Sequence, residues 1–162
     1  VLQFARQEPT AKWVDDLNPT IRRATGLVRQ YVHDRGGALE LTLSDERLPL
    51  LMSPIGLEQV VINLVRNAAE SDEGGVNVVV RTESDGGQAV LSVADDGRGI
   101  PADQRGRVLD PFYTTRLHEG GTGLGLSVVH GVVTDHGGVL SVDRVVGGGT
   151  RFEIRLPLQD DE

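Results

Sequence analysis

Asn63 and Asn67 stand four residues apart in Asn63-Leu64-Val65-Arg66-Asn67-Ala68-Ala69, within an otherwise mainly apolar stretch. On a helix this spacing puts both amides on one face, roughly 40° apart. An amide oxygen can ligate Mg²⁺, a hard cation that keeps several waters and completes its shell with substrate phosphates. The same pair also suits a solvent-facing stripe or a loop cap, so the reading needs companions. One is Asp95-Asp96-Gly97-Arg98-Gly99-Ile100, a carboxylate at a strand end followed by two glycines that permit close backbone approach. Such a carboxylate can accept the exocyclic amino hydrogen of adenine and would reject the carbonyl that guanine presents there. A plain Asp-Gly turn accounts for the same residues without a ligand. The third companion is Gly120-Gly121-Thr122-Gly123-Leu124-Gly125-Leu126, whose alternating glycines at a helix start expose amide N–H groups suited to phosphate. It matches neither the Walker A pattern nor the dinucleotide fingerprint, so a different phosphate-binding scheme is implied.

The elements that must carry these residues follow from periodicity. Asn18 and Pro19 open a helix with Ile21, Ala24, Leu27, Val28, Tyr31 and Val32 on its apolar side, ended by Gly36-Gly37. Ala38 to Leu43 alternates as a half-buried strand, and the short apolar run Leu48 to Met52 follows. Pro54 opens the asparagine-bearing helix, about Ile55 to Ser71, with Gly74-Gly75 as its stop. Strands are expected at Val76 to Thr82 and Gln88 to Ala94, joined by Ser84-Asp85-Gly86-Gly87. Residues 96–122 read as a long loop with one short helix near 102–109. A third helix covers Leu124 to Asp135, then strands Val139 to Val145 and Thr150 to Leu156 flank Gly147-Gly148-Gly149. This order predicts an α+β fold, a two-layer α/β sandwich with helices on one face of a mixed, mainly antiparallel sheet.

Composition narrows the class. The 162 residues suit one domain, and a net charge of −8 lacks the basic stripe that a nucleic-acid partner demands. There is no cysteine, hence no disulfide or thiolate metal site, and no apolar run of membrane-spanning length. A reducing, cytoplasmic setting and a monomeric isolated domain are expected. Residues 1–10 read as the end of a preceding helix with its linker, 11–158 as the domain, and 159–162 as an acidic tail.

Taken together and in this order, the motifs resemble those of sensor histidine kinase catalytic domains. Asn63 to Ala69 is similar to their N box, Asp95-x-Gly97-x-Gly99 to the first glycine box, Pro111-Phe112-Tyr113-Thr114-Thr115-Arg116 to the F box, and Gly121 to Leu126 to the second glycine box. Gly147-Gly148-Gly149-Thr150 resembles the last glycine-and-threonine element, so the similarity runs from about Leu17 to Leu156. The resemblance implies the GHKL ATP-binding fold and an ATP lid over about 101–121. It assigns Asp95 to adenine, Asn67 to Mg²⁺, Asn63 to a supporting contact near the phosphates and Arg116 to the polyphosphate, with Asn63, Asn67 and Arg116 as the catalytic set. Around ATP it places Gly97, Gly99, Ile100 and Thr115. From the second glycine box it adds Gly121, Thr122, Gly123, Leu124, Gly125 and Leu126, with Thr150 behind the adenine pocket. Some members carry Lys where this chain has Glu70, so any phosphate contact there is lost.

The hydrolysing branches carry a glutamate at the position of Asn63; an amide cannot take water's proton, which favours direct phosphoryl transfer over hydrolysis. Glu58 points roughly 140° away from Asn63 and reads as a solvated helix face, whereas Glu70 shares the asparagine face. His33, His118, His130 and His136 lack an acceptor context, and His136, before Gly137-Gly138, reads as a cap. The resemblance therefore implies an acceptor histidine on separate dimerisation helices and a response regulator as the next partner. An ATPase, an anti-sigma-type serine kinase and a nucleotide-binding pseudokinase are the alternatives.

Overall fold

The computed structural model describes residues 11–97 and 124–160. Within them, β1 (Trp13–Asp16) leads directly into α1 (Leu17–Asp34), followed by β2 (Ala38–Thr42), β3 (Pro49–Met52) and α2 (Pro54–Ala69). The hairpin β4 (Asn77–Asp85) and β5 (Gln88–Asp95), then α3 (Leu124–Asp135), β6 (Val139–Arg144) and β7 (Thr150–Pro157) complete it.

Five strands form one sheet in the order β2-β4-β5-β7-β6, while β1 and β3 pair separately. β2 runs parallel to β4 and every other pairing is antiparallel. The two-residue turn of the hairpin, closed by Asp85 opposite Gln88, places Gly86 and Gly87 at φ 59 and 84. Two successive positive φ values match the right-handed twist of the strands, and glycine adopts them without strain.

Register decides which side chains face the helices. Val80 pairs with Val93 and Val93 with Phe152; Thr82 pairs with Leu91 and Leu91 with Ile154. These rows are buried and join a single core with Ile21, Ala24 and Val28 of α1, Leu57, Val61 and Leu64 of α2, and Val129 and Val133 of α3. Each large aliphatic side chain so buried contributes about 1.5–3 kcal/mol. Asp95 pairs with Val78, whose side chain is fully buried. The alternation therefore sends the Asp95 carboxylate to the helix side of the sheet.

The expected sandwich is present, with three differences in its elements. Asp16, not Asn18, caps α1: its carboxylate accepts from Asn18 N and from Leu48 N. Asn18 is buried instead, donating through Nδ2 to the Ser44 and Glu46 carbonyls and accepting from Thr82 Oγ1 at 2.7 Å. β1 had no signal because Trp13-Val14-Asp15-Asp16 lacks alternation; its partner strand defines it. α2 ends at Ala69, with Glu70 as C-cap, before the Gly74-Gly75 stop. The short helix expected near 102–109 lies outside the described residues.

α2 begins at Ser53, whose hydroxyl accepts from Gly56 N at 3.0 Å, with Pro54 in the first turn. Ser53 N in turn donates to His136 Nε2 at 3.0 Å, while His136 Nδ1 lies 2.8 Å from the Val132 carbonyl. His136 thus does cap its own helix, and it also links α3 to the start of α2. Accepting at Nε2 while donating at Nδ1 requires the neutral ring. Burial pushes its pKa below the usual histidine value; the Val132 bond opposes this, nearby Lys12 adds to it and Asp135 opposes it. A folded pKa below the unfolded one gives stability that is complete above about pH 6.5 and is lost as pH falls toward the folded value. His136→Ala should therefore lower unfolding free energy by about 1–3 kcal/mol at pH 7.5, since it orphans the buried Ser53 N–H. Urea titrations at pH 7.5 and 5 check this: the gap between variant and wild type should narrow at the lower pH.

Candidate nucleotide site

α2 passes over the sheet so that its C-terminal half lies beside the end of β5. Asn63 and Asn67 are half-buried on that helix, between the fully packed positions Leu64, Val65 and Ala68. Neither amide has a hydrogen-bond partner among the described residues, so both keep their donors and acceptors for solvent or ligand. The start of α3 reaches the same place: a Cβ on Gly125 would stand 4.0 Å from Asn63 Cγ and Oδ1. The first turn of α3 therefore lies against the first asparagine. Leu126 turns the other way, 7% exposed within the core, and holds that helix start down.

Asp95 is 6% exposed. Its Oδ1 accepts from Gly97 N at 2.9 Å, and the backbone N–H of Thr150 also donates to the carboxylate. Burial pushes its pKa up to about 6; the two backbone donors pull it down and Asp96 pushes it up. Asp96 itself does a separate job: its two oxygens take Asn77 N at 2.8 Å and Asn77 Nδ2 at 3.0 Å, pinning the start of β4.

Two glycines are required by space. At Gly149, φ is 103 and a Cβ would sit 1.9 Å from the Asp95 carbonyl oxygen. At Gly97 a Cβ would sit 2.0 Å from Ser71 Oγ. A side chain at Gly149 would push the backbone off Asp95, and one at Gly97 would displace the Ser71 side chain. Thr150, 4% exposed, thus lies directly behind the carboxylate.

Of the residues singled out from the sequence, the structure brings together Asn63, Asn67, Asp95, Gly97, Gly125 and Thr150. Gly99, Ile100, Thr115, Arg116, Gly121, Thr122 and Gly123, with most of the expected lid, lie outside the described residues, and of Leu124 only the backbone is described. Glu58 is not simply solvated: Arg23 Nε holds it at 2.9 Å, tying α1 to α2. Glu70 bonds the Tyr31 hydroxyl and pairs with Arg66 at 3.8 Å, and the Arg66 guanidinium lies 4.8 Å from the Tyr31 ring centroid. Ser71 was missed, although Asn63, Asn67 and Ser71 continue one spacing of four. Among the described residues no cluster of three or more histidine or acidic side chains is arranged to hold a metal. No described helix is long and apolar enough to cross a membrane.

Residues 52–160 match the family model described as histidine kinase-, DNA gyrase B- and HSP90-like ATPase. The chain belongs to this family. Sensor histidine kinase ZraS of Escherichia coli is 36% identical over 159 residues, 98% of this chain and 34% of that protein. The chain therefore spans about a third of that relative. Among solved structures, the mycobacterial sensor histidine kinase MprB superposes with a TM-score of 0.79 at 32% identity, covering 93% of this chain and 100% of that one. Full-length ShkA, in complex with AMPPNP, gives 0.81 at 27% identity, covering 93% and 32%. The fold is that of the ATP-binding domains of histidine kinases.

A buried carboxylate is held at a cost to the fold. Folding raises the proton affinity of Asp95, so ionised Asp95 destabilises the native state above about pH 6, and the cost fades as pH falls toward the unfolded value of 3.8. Asp95→Asn should weaken ATP binding more than about tenfold, because its amide can turn a donor toward the adenine amine. It should leave the melting temperature at pH 7.5 no lower than wild type. Titration with a fluorescent adenine nucleotide and a thermal melt test both; unchanged affinity in the folded variant would remove Asp95 from the site.

Proposed function

We propose that this chain is the catalytic domain of a two-component sensor histidine kinase, which binds Mg-ATP and delivers the γ-phosphoryl group to a histidine on separate dimerisation helices. From there the phosphoryl group passes to a response regulator. The observation that carries the reading is the combination of a buried, backbone-held Asp95 with two amides on α2 that have no partner among the described residues. In this reading residues 1–10 end the preceding dimerisation helix and linker, 11–158 form the domain, and 159–162 are an acidic tail. The domain works as a monomer on the cytoplasmic side, where ATP is available.

The residues fit a magnesium ion held with its nucleotide. Their donor set is amide oxygen at Asn67, with Asn63 beside it, and no acidic cluster competes among the described residues. That chemistry suits a cation that takes few protein ligands and relies on water and phosphate oxygens. When bound, Mg²⁺ neutralises charge on the transferring phosphoryl group.

Asp95 fixes the base and thereby the direction in which the triphosphate extends, toward Asn63 and the start of α3. The backbone N–H groups at the start of α3, with the positive end of its dipole, meet the phosphates. Asn63 can orient but cannot deprotonate water, and Glu70 on the same face is bonded by Tyr31 and Arg66. Catalysis is then positioning and charge stabilisation, and it waits for a nucleophile from outside the domain.

The isolated domain should bind ATP yet neither hydrolyse it at a useful rate nor label itself with γ-³²P phosphate. Supplying the parent dimerisation helices in trans should yield acid-labile phosphohistidine on that partner, slowly, because the effective concentration given by the tether is lost. Rapid phosphate release by the domain alone would favour an ATPase. Stable self-labelling would put the acceptor within this chain, and binding without transfer to the authentic acceptor would favour a pseudokinase.

A further inference from the structure

A second oxygen stands near Asp95. A Cβ built on Gly97 would lie 2.0 Å from Ser71 Oγ and 3.2 Å from Asp95 Oδ1, so the two oxygens stand within about 5 Å of each other. Ser71 follows the end of α2, one turn beyond the asparagine pair, and is half-buried. Its hydroxyl hydrogen is committed to the Ala68 carbonyl at 2.8 Å. What Ser71 presents to its surroundings is therefore a pair of acceptor sites, and no described residue donates to them. Ionised Asp95 is also acceptor-only. Two oxygens with no hydrogen to offer thus lie close together beside Gly97, whose lack of a side chain lets them do so.

An exocyclic amino group carries two hydrogens about 120° apart, and donating both at about 2.9 Å reaches acceptors up to about 5 Å apart. We propose that Ser71 is a specificity-determining residue of the base pocket, whose oxygen accepts the second hydrogen of an exocyclic amine already bonded to Asp95. This rests on Asp95 being the adenine contact. A free serine would be permissive, because its hydroxyl can turn to donate to a carbonyl. Here turning would cost the Ala68 bond, so the hydroxyl stays an acceptor. A base bearing a carbonyl at that position meets two acceptors and no donor.

The test compares ATP with the 5′-triphosphate of purine riboside, which has hydrogen in place of the amine. Both are titrated against wild type, Ser71→Ala and Ser71→Gly, after thermal melts confirm folding. Loss of one hydrogen bond should weaken ATP about three- to tenfold in both variants and leave the affinity for the deaminated analogue unchanged. Equal weakening of both nucleotides would make Ser71 a structural residue and overturn the proposal, as would unchanged ATP affinity. The underlying reading is separable: wild type binding the two nucleotides equally would dismiss Asp95 and Ser71 together. A strong preference for ATP that survives in both variants would keep Asp95 and dismiss Ser71 alone.

Discussion

A carboxylate held inside a protein near neutral pH must be paid for by its surroundings, and Asp95 organises the site for that reason. Its burial raises its pKa to about 6, so at pH 7 it is ionised at the expense of stability. Backbone N–H groups from Gly97 and Thr150 offset part of that cost. The close approach of the last strand's start to β5 depends on Gly149, where a side chain would meet the Asp95 carbonyl. The register of β5 against β4 and β7 sets which face Asp95 points to; slipping it by one residue would turn the carboxylate to the outer face. The glycines, the hairpin and the last strand are thus all constraints imposed by one charged group.

The asparagines depend on a different set of restraints. α2 is fixed at its start by Ser53, Pro54 and the His136 ring, and near its end by Tyr31 and Arg66 on Glu70. Between those ends its apolar side is buried against α1 and the sheet. Such a helix presents Asn63 and Asn67 with little freedom, which is what ligation of a metal-nucleotide complex requires. α3 is tied to the same start through His136, just past its C-terminal end.

Much of this was legible in the sequence. α3 runs from Leu124 to Asp135 as its apolar spacing predicted, and the hairpin formed where Gly86-Gly87 marked it. Chemistry-bearing residues were visible because asparagines in an apolar helix and glycines in alternation are costly unless used. Other features were hidden because they depend on contacts between distant segments. Asp16 rather than Asn18 caps α1 because Leu48, thirty-two residues on, needs the same carboxylate. β1 exists only through its pairing with β3. Ser71 gave a spacing cue, but its acceptor-only state comes from a bond to Ala68 that no pattern announces.

The central claim is that the pocket reads its base with acceptors alone. Competition between ATP and GTP for the domain, each displacing the same fluorescent adenine nucleotide at pH 7.5 with Mg²⁺ present, tests it most directly. Facing guanine's carbonyl with acceptors and no donor should cost GTP well over tenfold in affinity relative to ATP. Equal displacement by the two nucleotides would contradict the account.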